Sequence, residues 1–312
     1  MGTRRIVARA ARGGHTVGVA VPFLRVLKGK LTVVGKSPDG DSIRFVPAKP
    51  ELIDDLYRGD RARPSRVDGS FQLRLEGIDS PETHYGKDAQ PQGEPARDWL
   101  LEQAGFTNVV FDQNSTVQSA EPATRPATIL TKGVDPNGRP IAYLLAGDDG
   151  DDLRDGAWSE LEPALLDRTL NARSLAAGLS YLTLYTSTPA PHRTRLRRIA
   201  SQARDAGRGV WAADETAMFK LADQASISPP NGALILPKLF RRCTDYLKDR
   251  VDGFRGTLPD WLVSVSGSGT RSENDRVLVG GRSEVPLSTL VGQRNDSITF
   301  SADLLDIVFV EK

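Results

Sequence analysis

The chain of 312 residues is poor in the residues that usually fix a small site by themselves. It has one cysteine, Cys243, three histidines and two methionines. One thiol cannot close an intrachain disulfide, so stability does not rest on an oxidising compartment. Three histidines and one cysteine also argue against a structural zinc site. No run approaches the ~20 apolar residues that span a bilayer, and no membrane association is expected. A net charge of +1 excludes a strongly basic nucleic-acid coat protein, while leaving room for a local basic site. At the N-terminus Arg4, Arg5, Arg9 and Arg12 precede the mildly apolar "TVGVAVPFL" (16–24), but Arg25 follows at once and no small-residue cleavage site is evident. The cytoplasm is therefore expected rather than secretion.

What is present is a chain of ordinary globular composition, 39% hydrophobic and 26% charged, long enough for about two domains. "LTVVGKSPDGDSIRFVPA" (31–48) reads as two β-rich runs around an Asp-Gly hairpin turn. Residues 49–69, mixed in charge and flanked by proline, read as an insertion. A strand over 71–78 follows, then a helix over 93–105 and strands at 108–112, 127–131 and 141–146. Helical patterns cover 162–178 and 192–211. Five strands in meander order with three helices suit a small OB-type barrel, an α+β fold.

Beyond it, "SISPPNG" (226–232) has the composition of a linker. A helix at 238–250 places Leu239, Cys243, Tyr246 and Leu247 on one face. Short β-like runs follow at 261–266, 276–280, 297–302 and 307–311. The organisation expected is an N-terminal extension (1–28), a barrel domain (29–215), a linker (216–236) and a small helix plus β-rich C-terminal domain (237–312). "VSGSGTRS" lacks the Gly-Lys-Ser/Thr ending of a phosphate-binding loop and reads as a turn.

The chemistry concentrates in two acidic turns. Asp39 and Asp41 flank the hairpin glycine, and Asp79, Ser80 and Glu82 end the strand "QLRLEGIDSPET". Carboxylates and carbonyls are hard ligands suited to calcium or magnesium, and such a cluster needs cations nearby, for which Arg74 and Arg139 are candidates. Arg74 and Asp79 are five apart, so a regular strand sends them to opposite faces. Gly77 between them permits a bulge or an early strand end, either of which would let them converge. Taken singly, Asp-Gly-Asp and Asp-Ser-Pro-Glu are ordinary turns.

In combination, "DGDS" (39–42), "LRLEGIDSPE" (73–82), "DPNGRPIAY" (135–143), "LAAGLSYL" (175–182) and "GRGVW" (207–211) resemble the staphylococcal nuclease (thermonuclease) family. The resemblance implies an OB-type barrel that hydrolyses DNA or RNA with Ca2+ (Mg2+ or Mn2+ as substitutes), breaking the 5′ P–O bond to leave 3′-phosphate ends. It implies that Asp41, Asp79 and the carbonyl of Ser80 bind the metal, with Asp39 close behind them. Glu82 matches the general base, and Arg74 and Arg139 match the arginines on the scissile phosphate. Asn137 stands where the family's type member has an aromatic residue, which leaves Tyr181 and Tyr185 as stacking candidates in a run that reads equally as core, with Lys87 and His84 the cations of the following loop. The alternative is a non-catalytic module of the same fold that binds nucleic acid or protein as a scaffold. The C-terminal part is expected to serve a protein partner or homodimer. The insertion is expected roughly 20 Å from the metal, at ~3.3 Å per strand residue. On the last helix Arg193, Arg197, Arg204 and Arg208 form a stripe, read as a solvated face in preference to a nucleic-acid track.

Overall fold

The computed structural model describes residues 23–265 and 275–311. The N-terminal basic segment and most of the "VSGSGTRS" turn lie outside these. Strands β1 (Phe23–Thr32), β2 (Arg44–Pro47), β3 (Phe71–Gln72), β4 (Arg74–Leu75) and β5 (Ile78–Asp79) open the fold. Next come α1 (Gly93–Gln103), β6 (Thr107–Phe111), β7 (Val117–Glu121), β8 (Thr124–Val134), β9 (Pro140–Ala146) and β10 (Trp158–Glu160). The main sheet runs β3-β2-β1-β8-β9-β4. Its two ends are β3 and β4, separated only by Leu73, so one short segment pairs with β2 on one side and β9 on the other. The sheet thus closes nearly into a barrel, with Leu27, Leu31, Phe45, Leu73, Ile129 and Leu144 buried inside.

The helix expected over 162–178 is two helices, α2 (Pro163–Arg168) and α3 (Leu170–Ala177). Thr169 divides them because its extended backbone and its hydroxyl, which accepts from the Ala172 N–H, cap α3. After α3 come β11 (Tyr181–Leu182), β12 (Leu184–Tyr185), α4 (Ala190–Asp205) and α5 (Val210–Ala213). Asn171 in α3 is fully buried, and its side chain joins three segments. Its oxygen accepts from the Leu144 N–H and its amide donates to the carbonyls of Glu76 and Ala142, all at 2.9–3.0 Å.

The C-terminal region departs most from expectation. It comprises β13 (Met218–Lys220), α6 (Pro237–Val251), α7 (Leu258–Ser264), β14 (Arg276–Val279), β15 (Glu284–Pro286), β16 (Val291–Arg294), β17 (Ser297–Phe300) and β18 (Ile307–Phe309). The run 261–266, expected as β, lies largely in α7. Thr257 and Asp260 form a reciprocal capping box there that outweighs the β-branched residues. The part expected as a linker holds β13 and packs. Nor is the C-terminal part set apart from the barrel: β18 pairs in parallel with β12, and Tyr181 and Val210 share a core with Phe240, Cys243 and Trp261. The arginine stripe on α4 is used for the same purpose. Arg197 donates to the Leu305 carbonyl at 2.6 Å and Arg204 pairs with Asp303 at 2.6 Å on the surface, while Arg208 is exposed, so the solvated face is in part a contact with the C-terminal region.

The insertion also folds back. Tyr57 exchanges backbone hydrogen bonds with Lys132 and Val134, and the Arg63 N–H donates to Gly138, inside the 135–139 turn. It therefore braces that turn directly, in place of the distant position expected for it. Among the described residues, no helix is long and apolar enough to cross a membrane.

Candidate active site

The two acidic turns meet because small residues let them. A Cβ on Gly40 would lie 2.6 Å from the Ser80 hydroxyl and 2.8 Å from the Ala96 methyl, so only glycine allows this approach. One Asp39 carboxylate oxygen accepts from its own turn, at Gly40 N (2.8 Å), and from the other, at Thr83 N (3.3 Å). Asp39 therefore acts as a clasp between the turns. Gly77, at φ +80°, divides β4 from β5 as its place in the strand suggested, and brings Arg74 within electrostatic reach of Asp79.

Arg139 is held on its own turn. Asp135 is buried, and one of its oxygens accepts the N–H groups of Asn137 and Arg139, each at 2.9 Å. The other accepts from the Arg139 guanidinium at 2.8 Å. Arg74 donates to the Tyr185 hydroxyl at 2.7 Å, with its guanidinium carbon 4.8 Å from the ring centroid. Burial alone would raise the Tyr185 hydroxyl's pKa, but Arg74 and Lys238 hold it below its ordinary value. Tyr185 thus orients Arg74. Tyr181 is fully buried with its hydroxyl on Asp214 (2.9 Å), which removes it as a stacking platform. Lys87 is exposed on the loop after Glu82, in a groove of about 850 Å³ that it shares with Lys248, Arg250 and Arg255.

The carboxylates share one field. Burial pushes Glu82 up to about 7; Arg241 opposes the shift, and Asp79 and Asp39 add to it. Burial likewise raises Asp41, with Asp79 and Glu82 adding to it and Arg139 and Arg241 opposing, and raises Asp39 beside Asp41. This is a surplus of negative charge that a cation would relieve. Among the described residues no three His, Cys, Asp or Glu side chains are placed to hold an ion. An ion here would draw on Asp41, Asp79, backbone oxygen and solvent. The Ser80 hydroxyl, buried without a hydrogen-bond partner, is a further oxygen at the seam of the two turns. These are hard donors, and they fit calcium or magnesium.

One residue in the site has no signal in the local sequence. Arg241, on α6, forks onto Asp79 (2.9 and 3.2 Å) and also donates to Glu82. It lies 162 residues from Asp79. The need for cations beside the acidic turns was legible, but not that α6 would supply one.

The fold is thus a nearly closed barrel of mixed α+β class that bears paired acidic turns and two held arginines. Residues 72–213 match the family described as staphylococcal nuclease homologue. The match begins after the Asp39–Asp41 turn, which the fold nevertheless brings to Asp79. Among similar proteins, one named probable endonuclease LCL3 from Clavispora lusitaniae is 36% identical over 98 residues, covering 30% of this chain and 41% of the relative. Proteins of the same name from Meyerozyma guilliermondii (39% over 80 residues; 24% and 34%) and Debaryomyces hansenii (35% over 95 residues; 29% and 37%) are also similar. The matched part thus spans about two fifths of these relatives' length or less.

Proposed function

We propose that the chain is a nuclease that hydrolyses phosphodiester bonds of DNA or RNA with a divalent cation, calcium by preference. The observation that carries this reading is the meeting of Asp41, Asp79 and Glu82 beside Arg139, on a domain of the nuclease family. A phosphodiester is an anion, and its negative charge must be offset before water can attack. Arg74 and Arg139 supply planar forks that match phosphate oxygens, and their hydrogen bonds strengthen as charge develops in the transition state. Asp135 and Tyr185 hold those guanidiniums in place before substrate arrives. Glu82, with a carboxyl raised to about 7, is suited to take the proton of the attacking water near neutral pH. The oxygen of that water bonds to phosphorus while the bond to the 5′ oxygen breaks, leaving a 3′-phosphate. A calcium ion on Asp41, Asp79 and the Ser80 carbonyl would supply Lewis-acid polarisation of a phosphate oxygen. Lys87 is the proposed contact for the flanking strand; the groove beside it balances Lys87, Lys248, Arg250 and Arg255 with Asp88, Asp223, Asp245 and Asp252.

One observation favours a second reading. Arg241 neutralises Asp79 and Glu82, as would suit a non-catalytic scaffold. Purified protein and Glu82→Gln are to be incubated with single- and double-stranded DNA and RNA under calcium, magnesium or chelator. Calcium-dependent cleavage lost in Glu82→Gln supports the nuclease. Binding without cleavage in every condition moves the scaffold to first place.

A further inference from the structure

We propose that Arg241, seated on Asp79 and Glu82, is a built-in counter-cation that competes with a divalent metal for Asp79, so that docking of α6 sets the metal affinity of the nuclease site. This rests on the nuclease reading above. Arg241 is not a stray surface side chain. Its helix buries Leu239, Phe240, Cys243, Tyr246 and Leu247 in the C-terminal core. Two ties fasten that helix region to the loop carrying Glu82. The Tyr85 hydroxyl donates to both oxygens of Asp245 (2.9 and 3.1 Å). Gln90 accepts from the Glu82 N–H at 3.2 Å and donates to the Ile235 carbonyl at 2.8 Å. Further along, Lys238 and Arg242 both pair with Asp275 (3.2 and 2.7 Å). The guanidinium is thus delivered by a docked helix to carboxylates that are themselves largely buried, with Asp79 and Glu82 side chains 9% and 14% exposed.

The chemistry then forces a choice. Both Asp79 oxygens and one Glu82 oxygen accept from Arg241. Each bond takes up one of the lone pairs a metal would otherwise use, and a calcium ion on the remaining ones, at about 2.3–2.6 Å, would sit close beside the guanidinium. A metal at Asp79 would also face a fixed positive charge in a poorly screened pocket. Binding of metal and seating of Arg241 therefore oppose each other. By linkage, each weakens the other equally. The charge surplus of the acidic turns is balanced within the chain until α6 shifts or Arg241 swings away.

Calcium binding is to be measured by isothermal titration calorimetry on the full chain, for wild type, Arg241→Gln, Arg241→Lys and Tyr85→Phe. Arg241→Gln is expected to bind roughly tenfold more tightly or better, within the usual range of coupling between opposed sites. Lysine keeps the charge without the fork and is expected between the two. Tyr85→Phe keeps Arg241 but loosens the tie, and is expected to bind a few-fold more tightly. Affinity unchanged or weakened in folded Arg241→Gln overturns the proposal. Should that variant not fold, unchanged affinity in both Arg241→Lys and Tyr85→Phe does so. Cleavage measured in the same samples separates this from the nuclease reading. Wild-type cleavage with no gain in affinity in the variants overturns the competition alone. Tighter binding with no cleavage in any sample supports the competition and overturns the nuclease.

Discussion

Arg139 is bound to Asp135 twice over, through its backbone N–H to one carboxylate oxygen and through its guanidinium to the other, at 2.9 and 2.8 Å. The same carboxylate therefore shapes the turn and aims the side chain. Asp135→Ala is expected to cost about 1–2 kcal/mol in urea unfolding, since two part-buried turn N–H groups and the Arg139 guanidinium lose their acceptor. Asp135→Asn can keep the carbonyl toward the backbone while turning a donor toward the guanidinium. It is expected to lower turnover about tenfold or more with a smaller stability loss, because misplacing a charge-stabilising group weakens only the transition state. Equal effects of the two variants on both readouts would contradict this division of labour.

Glu82→Gln removes the proton acceptor and Arg139→Ala removes a phosphate fork. Each is expected to lower turnover by a factor of ~10² or more under saturating calcium. Rates near wild type in either would refute the role given to that residue.

The raised carboxylates make a pH prediction with a definite sign. Glu82 titrates near 7 in the fold against 4.5 for an ordinary glutamate. Between those values the folded chain holds more protons than the unfolded one, so stability falls as pH rises through this window. Asp39 and Asp41, raised by burial and by each other's neighbours, act in the same direction. Chemical denaturation of the metal-free protein from pH 4.5 to 8 is expected to show declining stability. Stability that increased toward pH 8 would count against the buried acidic cluster.

Asn171 predicts a fold-level effect. Its amide serves three backbone groups in the segments carrying Glu76, Ala142 and Leu144. Asn171→Ala is expected to cost about 3 kcal/mol, as several buried polar groups go unpaired together, with a loss of that order in the extrapolated unfolding free energy from urea. A loss under 1 kcal/mol would mean the three groups find other partners.

The barrel was legible because its signals are local. The Asp-Gly turn, the alternation through Leu73 and Leu75 and the helix-ending Gly178 each act within a few residues. Gly77 was readable for the same reason, since a glycine inside a strand seldom lacks a steric cause. The placement of the insertion was not. Nothing in the sequence near Tyr57 or Arg63 names Lys132, Val134 and Gly138 as partners, because backbone pairing carries no side-chain signature. Tyr181 was open between a stacking residue and a core residue, because a tyrosine beside a site looks alike in sequence whether its ring faces solvent or a core, and it lies in the core. The C-terminal strands read correctly as β at 276–280 and 307–311, while their merger with β12 depended on contacts across more than half the barrel domain's length. Arg241 combines both difficulties. It is one arginine on a basic helix, and its targets lie on another part of the chain.

The pairing of β12 with β18 has a consequence in time. The hydrogen bond from Glu311 to Thr186 beside it spans 125 residues. At ribosomal rates of ~5–20 residues per second, that separation is roughly 6–25 s of synthesis. Over this interval α4, α6 and β18 are still to be made, although the acidic turns, Arg74 and Arg139 have already been synthesised. β12 therefore waits for its parallel partner until β18 has been synthesised.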